Sequence, residues 1–332
     1  MEHRLEADLF ICGIGVQEPY EGHLISVAKC EVEYDKELLR NCIRVKYRLT
    51  IESDTEPLDQ NYINRVLLEE INLFLQSLSL LLVRPSQLIG YTIRLDGVEV
   101  EPKLPPRNAP LGLHNFVALW SHRPKEEIKR YSSVVHKDGW PLLEHLLSEY
   151  RMKSDQIKKG IALALRWFAK GSDEMSSLDR LIAYWIAFNA LYGNPKRSEQ
   201  EAVGNYIREN ADLPLARSFV ERHERLLLRL SSMQVELRRG GKQRGVSQEL
   251  APLLKAQTKD YIAMLKIMML TIYGIRNSLF HGAYDPDSED SQKLIETADY
   301  LLGRILKELI AKKMLGYPLP PTRFVIQEKV GI

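Results

Sequence analysis

With 332 residues, 45% of them apolar, the chain is long enough for two domains that each bury a core. Its 46 Lys plus Arg nearly cancel its 44 Asp plus Glu, leaving a net charge of +2. That balance excludes attraction to nucleic acid or lipid through bulk charge, so any such partner must be met by a local patch.

The opening MEHRLEADLF carries acids where a secretory signal needs a long apolar core. Apolar runs such as LIAYWIAFNALYG fall short of a membrane span, and the run before IRN is interrupted by Lys266. Cys12, Cys30 and Cys42 have neither the number nor the spacing of a disulfide framework or zinc site. The expectation is a soluble, cytoplasmic protein with reduced thiols and no membrane partner.

The first hundred residues change period repeatedly. LFICGI (9–14) and LISVAKCEV (24–32) read as strands, and in CIRVKYRLTI Ile43, Val45, Tyr47, Leu49 and Ile51 alternate with Arg44, Lys46, Arg48 and Thr50. Between Asp59 and Val83 the apolar spacing becomes helical, and LIGYTIRLDGVEV returns to strand, with Asp96-Gly97 as a hairpin turn. Residues 1–110 are thus expected to form a small α+β domain, which, as a partner to the bundle described below, has the expected role of a sensor or targeting element of unknown ligand. It ends in the proline-rich EPKLPPRNAP (101–110), because proline removes donors and restricts its predecessor.

After a connecting segment, 111–140, the period is helical almost throughout, giving a mainly α chain whose carboxy-terminal bundle spans 141–315, with 316–332 as a tail. Helices are predicted at roughly 141–150, 155–170, 176–193, 199–209, 213–238, 258–281 and 289–314, separated by punctuation such as GNPKRS and RRGGKQRG.

One stretch of the penultimate helix is chemically unusual. IRNSLFHG places Arg276, Asn277 and His281 beside the apolar stripe of Met264, Leu265, Met268, Ile272, Ile275 and Leu279. Asn277 and His281 are four apart and share a face; Arg276, one position earlier, reaches them with its long side chain. Gly282 marks a helix C-terminus, where orphan carbonyls favour a protonated imidazole. A group titrating near neutrality beside a permanent cation suits phosphate handling. On spacing alone, a capping histidine beside a surface arginine explains the same residues.

Two segments together, LDRLIAYWIAFNALYGN (178–194) and YGIRNSLFHGAYDP (273–286), resemble the HEPN superfamily, especially its Apea-like branch. GIALALRWFAKGSD (160–173) resembles the helix before the Trp-rich one in those proteins. The resemblance covers roughly 141–315 and implies an HEPN-like helical bundle. It also implies a metal-independent endoribonuclease with no cofactor, Arg276 and His281 in catalysis and Asn277 in support, with roles in antiviral defence or toxin-antitoxin control. It implies a homodimer through the helix bearing Arg276 and His281, since one chain offers only one proton-transfer group. Asn189 stands in the Trp-rich helix where such proteins often have a carboxylate. Asn189 and Tyr273 are supporting residues around the site. The alternative is a non-catalytic module that binds nucleic acid or protein and uses the same residues structurally.

Other features carry less. Arg238, Arg239, Lys242 and Arg244 in a flexible loop are an RNA-backbone candidate, as is the Arg44, Lys46, Arg48 strand face, though solvated surface explains both. DPDSED (285–290) lacks the glycine a calcium loop needs, and Ser288 or Asp287 capping the next helix accounts for it. Gly13-Ile14-Gly15 has no third glycine, and His114, His122, His136 and His145 have no metal-ligand spacing. Trp120, Trp140, Trp167 and Trp185 read as packing.

Overall fold

The computed structural model describes residues 2–12, 14–34, 37–52, 60–82, 87–99, 133–193, 198–233, 235–239, 242–282, 284–320 and 325–326. The proline-rich stretch, His114, His122 and Trp120 lie outside them. The fold is mainly α, and the chain divides into two compact units, Met1–Glu149 with Pro321–Ile332, and Tyr150–Pro320.

The first unit is built on a six-stranded sheet, ordered β3(Tyr20–Glu21), β4(Ile25–Tyr34), β5(Glu37–Glu52), β1(Glu2–Cys12), β6(Gln87–Leu95), β7(Val98–Glu99). All its pairings are antiparallel. The alternation read in β5 holds: Ile43, Val45 and Tyr47 are buried while Arg44 is exposed. Helix α1(Gln60–Leu82) packs on the apolar face, with the Phe74 ring 5.6 Å from Tyr47 and the Tyr47 hydroxyl donating to Glu70 at 2.7 Å. On the opposite face Asp8, 5% exposed, accepts from Arg44 Nε (3.0 Å) and Nη2 (2.9 Å), and Arg94 lies 3.5 Å away. The strand face read as basic is therefore partly neutralised. Asp96 and Gly97 both take positive φ, +49° and +84°, as a two-residue hairpin turn requires.

A second sheet joins β2(Ile14–Val16), β8(Ser133–Val135) and β11(Val325–Ile326). Helix α2(Gly139–Arg151) is held by Glu144, which accepts from the Tyr20 hydroxyl and the Leu24 amide. Cys42 is disulfide-bonded, correcting the expectation of reduced thiols throughout; Cys30 is free. The cause is register: the sheet sets Cys42 opposite a cysteine on each neighbouring strand, Cys12 and Cys30, a proximity invisible in linear spacing.

The second unit holds α3(Asp155–Asp173), α4(Ser177–Tyr192), α5(Glu199–Asn210), α6(Leu213–Ser231), α7(Leu250–Lys255), α8(Tyr261–Phe280) and α9(Glu289–Leu315). Local chemistry starts most of them. Ser176, Ser198, Asp212, Asp260 and Ser288 each accept a backbone N–H three residues on, satisfying an orphan donor of the first turn. Ser288 thus takes the capping role predicted for the acidic loop.

Tyr184 sets how closely three helices approach. A Cβ on Gly171 of α3 would lie 2.6 Å from its ring and one on Gly303 of α9 2.7 Å, so both glycines are needed for contact. Phe168 stacks on the same ring at 5.3 Å. At the far end of α9, Lys312 donates to the Asn210 carbonyl (2.7 Å) and Lys313 to the Leu191 carbonyl (2.6 Å). The cations sit on the orphan carbonyls that end α5 and α4.

The structure departs from the predicted helix over 213–238. Helix α6 stops at Ser231, and β9(Glu236–Arg239) pairs with β10(Lys242–Gly245) as a hairpin where a flexible loop was expected. The Ser247 hydroxyl donates to the Met233 carbonyl and accepts from the Val235 amide at 3.2 Å, turning the chain before the leucine-rich period can continue. Helix α8 is long and apolar enough to cross a bilayer, contrary to the reading that such runs fall short. Here it packs on α5 and α6, with Met264, Leu265, Met268, Met269, Ile272 and Ile275 fully buried.

Candidate functional site

Three helices contribute to one polar cluster: α4 (Trp185, Asn189, Tyr192), α5 (Glu199) and α8 (Tyr273, Arg276, Asn277). Close packing of α5 on α8 allows it, since a Cβ on Gly204 would sit 3.1 Å from Lys266. The Trp185 ring lies 5.8 Å from Tyr273 and 5.5 Å from Phe188, fixing α4 against α8.

Glu199 is the hub, and the sequence reading missed it. At position 189 of α4, where a carboxylate was expected, stands Asn189, but α5 brings a carboxylate to the same cluster. One Glu199 oxygen accepts from Trp185 Nε1 at 3.2 Å, and the other faces Arg276 Nη1 at 3.4 Å. Both partners of the ion pair keep 26% side-chain exposure, so solvent screens it. The Tyr192 hydroxyl has one proton and two acceptors in reach, Asn189 at 2.6 Å and Glu199 at 3.4 Å; the shorter bond takes it. Burial first, then the Glu199 charge, push the Tyr192 phenol above its usual range, so it remains a neutral donor. The position of Glu199 in the first turn of α5, where a carboxylate suits the helix dipole, was the only signal that could have singled it out.

Arg276 is half-buried and incompletely satisfied. Nη1 donates to the Asn277 side-chain oxygen at 2.8 Å, and the guanidinium covers the Phe280 ring at 4.7 Å. Its Nε is buried and, among the described residues, has no hydrogen-bond partner. Asn277, expected to orient the imidazole, turns its oxygen to Arg276 instead; to His281 it offers its backbone carbonyl, which accepts the His281 amide at 3.0 Å.

His281 is the C-cap of α8 and is exposed, with Gly282 at φ +69° ending the helix as predicted. Phe280, the residue before it, is 58% exposed. The structure thus brings Arg276 to Glu199 directly, Asn277 through Arg276, Asn189 through Tyr192 and Tyr273 through Trp185, and leaves His281 exposed at the end of α8. Arg238, Arg239, Lys242 and Arg244 are on the β9–β10 hairpin, away from this cluster in the chain; their side chains lie outside the described residues. Among the described residues no group of three or more His, Cys, Asp or Glu is arranged to hold a metal ion. No protein-family model, curated protein or solved structure matches the chain.

Proposed function

We propose that the chain is a metal-independent endoribonuclease of the HEPN type, cutting RNA by attack of a ribose 2′-hydroxyl on the adjacent phosphorus. The observation that carries this reading is a half-buried, under-satisfied Arg276 five residues before an exposed histidine at a helix end. In that reaction the 2′-oxygen bonds to phosphorus, its proton leaves to a base, and the bond to the 5′-oxygen breaks as that oxygen receives a proton. The products are a 2′,3′-cyclic phosphate and a 5′-hydroxyl. Histidine serves as acid or base near neutrality, and the guanidinium stabilises charge growing on the phosphorane oxygens. One chain carries one such histidine, so two copies paired through the His281 end of α8 supply acid and base together. Glu199 and Asn277 hold Arg276 in place.

A non-catalytic binding module is the second reading, favoured by the contacts of Arg276 to Glu199 and Asn277, which a purely structural arginine would also make. The deciding experiment incubates wild type, His281→Ala and Arg276→Ala with mixed cellular RNA, with and without chelator. Cleavage leaving a cyclic phosphate, indifferent to chelator and reduced ~10²–10⁴-fold in each variant, supports the enzyme. RNA bound but never cut supports the module, and cleavage undiminished in His281→Ala removes the site assignment.

A further inference from the structure

Helix α3 carries a one-sided charge that the cluster around Arg276 does not use. Between Gln156 and Ser172 it has no acidic residue and four cations, Lys158, Lys159, Arg166 and Lys170, in a chain whose net charge is only +2. Lys158 lies 4.0 Å from Asp155, less than one turn back. Lys159, Leu163, Arg166 and Lys170 follow one another at intervals of four, three and four residues, so they form one stripe along the helix, and all four are exposed. The three cations of the stripe make no ion pair among the described residues; the Lys170 ammonium lies 5.0 Å from the Trp167 ring beside it. Together they span about 16 Å of helix.

The rest of α3 decides what can cover this stripe. Its apolar side, Ile161, Ala164, Leu165, Phe168 and Ala169, is buried in the bundle. A helix that lies in a lipid surface inserts its apolar side, so the stripe cannot anchor α3 in one. The core of a protein interface is depleted in charge, which three like cations would oppose. Successive phosphates of a single nucleic-acid strand can each take one of these cations, and the half-buried Trp167 ring offers a base a surface to stack on. The helix is also well placed. A Cβ on Gly160 would lie 3.3 Å from the Ala190 carbonyl, so the first turns of α3 pack on the end of α4 that carries Asn189 and Tyr192, whereas Gly171 meets Ala183 and Tyr184. The stripe therefore begins beside the polar cluster and runs away from it.

We propose that the stripe of Lys159, Arg166 and Lys170 binds the backbone of single-stranded RNA and leads the strand to the Arg276 cluster. The inference deepens the ribonuclease reading: it rests on that reading for the choice of RNA and adds the surface that carries the strand. Contacts to phosphate fix a strand's position without reading its sequence, so the stripe supplies affinity and not the choice of cut site.

Fluorescence anisotropy on the full chain with a 2′-O-methyl RNA of about 12 nucleotides, which has no free 2′-hydroxyl to attack phosphorus, measures binding apart from chemistry. A triple variant, Lys159→Gln, Arg166→Gln and Lys170→Gln, should weaken binding ~10-fold or more. It should also reduce the slope of log affinity against log salt by about 2, because three phosphates lose their cations. All three positions are exposed, so circular dichroism should show the helix content of wild type. With unmodified RNA the same variant should raise KM while kcat holds. A control triple, Arg208→Gln, Arg225→Gln and Lys255→Gln, removes equal charge from exposed positions on α5, α6 and α7 and should bind nearly as wild type does. RNA bound through the stripe but never cut supports the stripe and sinks the ribonuclease reading. RNA cut by the stripe variant with KM and affinity unchanged overturns the stripe and leaves the ribonuclease reading standing. The proposal is likewise overturned if the control triple loses as much affinity as the stripe triple, or if the chain binds vesicles of phosphatidylserine and phosphatidylcholine but not RNA.

Discussion

Arg180 and Arg276 are both helical arginines facing a carboxylate, yet they are used in opposite ways. Arg180, in the first turns of α4, donates Nε to Asp299 at 2.7 Å, Nη1 to the carbonyls of Glu174 and Met175 at 3.2 Å each, and Nη2 to Ser177 at 2.8 Å. Its carboxylate is 4% exposed, and desolvation raises the Asp299 pKa even against the guanidinium beside it. Arg276 has one good bond, to its neighbour Asn277, one long contact to Glu199, and an Nε that has no partner among the described residues. A guanidinium with its donors spent holds helices together; one with donors to spare has capacity for a ligand.

Breaking each pair should separate the two roles. Arg180→Met strands Asp299 as a buried unpaired charge and should cost ~3–5 kcal/mol in urea unfolding. Arg276→Met removes a screened contact and should cost under ~1 kcal/mol. Equal losses would mean that both arginines are structural.

Next in size is Gly303→Ala, which drives a methyl into the Tyr184 ring where α9 meets α4 near Arg180. Overpacking there should cost ~1–3 kcal/mol. A double variant with Tyr184→Leu should recover part of it, whereas strict additivity of the two losses would separate the glycine from the ring.

His223 of α6, half-buried and subject to the charges of Arg222 and Arg304, sharpens the contrast through pH. Because the folded pKa of His223 is depressed to about 4, the unfolded chain binds the proton more readily. Stability from the neutral imidazole is present above about 6.5 and is lost as pH falls toward 4, by ~1–2 kcal/mol after allowing for partial exposure. His223→Gln should flatten that part of the stability curve relative to wild type; parallel curves would contradict it.

The smallest effect concerns Glu199. Glu199→Gln keeps the shape but removes the charge, so it should change stability by less than ~1 kcal/mol and lower the Tyr192 pKa, read by ultraviolet difference titration. An unmoved tyrosine titration would show that the carboxylate does not govern that phenol.

What the sequence disclosed follows the range of the interactions. Alternation in β5, the Asp96-Gly97 turn, the Ser288 cap and the helix end at Gly282 depend on residues a few positions apart, and each was legible. The mainly α character came from the same local periods. Glu199 was not legible because its partner Arg276 is 77 positions away and its own segment reads as an ordinary polar helix start. The 236–245 hairpin was masked by leucines that continue the period of α6 up to its last turn. The state of Cys42 depends on strand register, which no spacing reveals.

Lys312 and Lys313 are neighbours in sequence but point about 100° apart around α9, and each serves a different helix end. Together they act as a phase gauge for that helix. A lengthwise slide could be absorbed by flexible lysine stems, but a rotation of one residue would carry both ammonium groups off their carbonyls at once. Deleting a single residue between Gly303 and Lys312 would therefore break the glycine contact with Tyr184 or the two lysine anchors, because one rigid rotation cannot satisfy both.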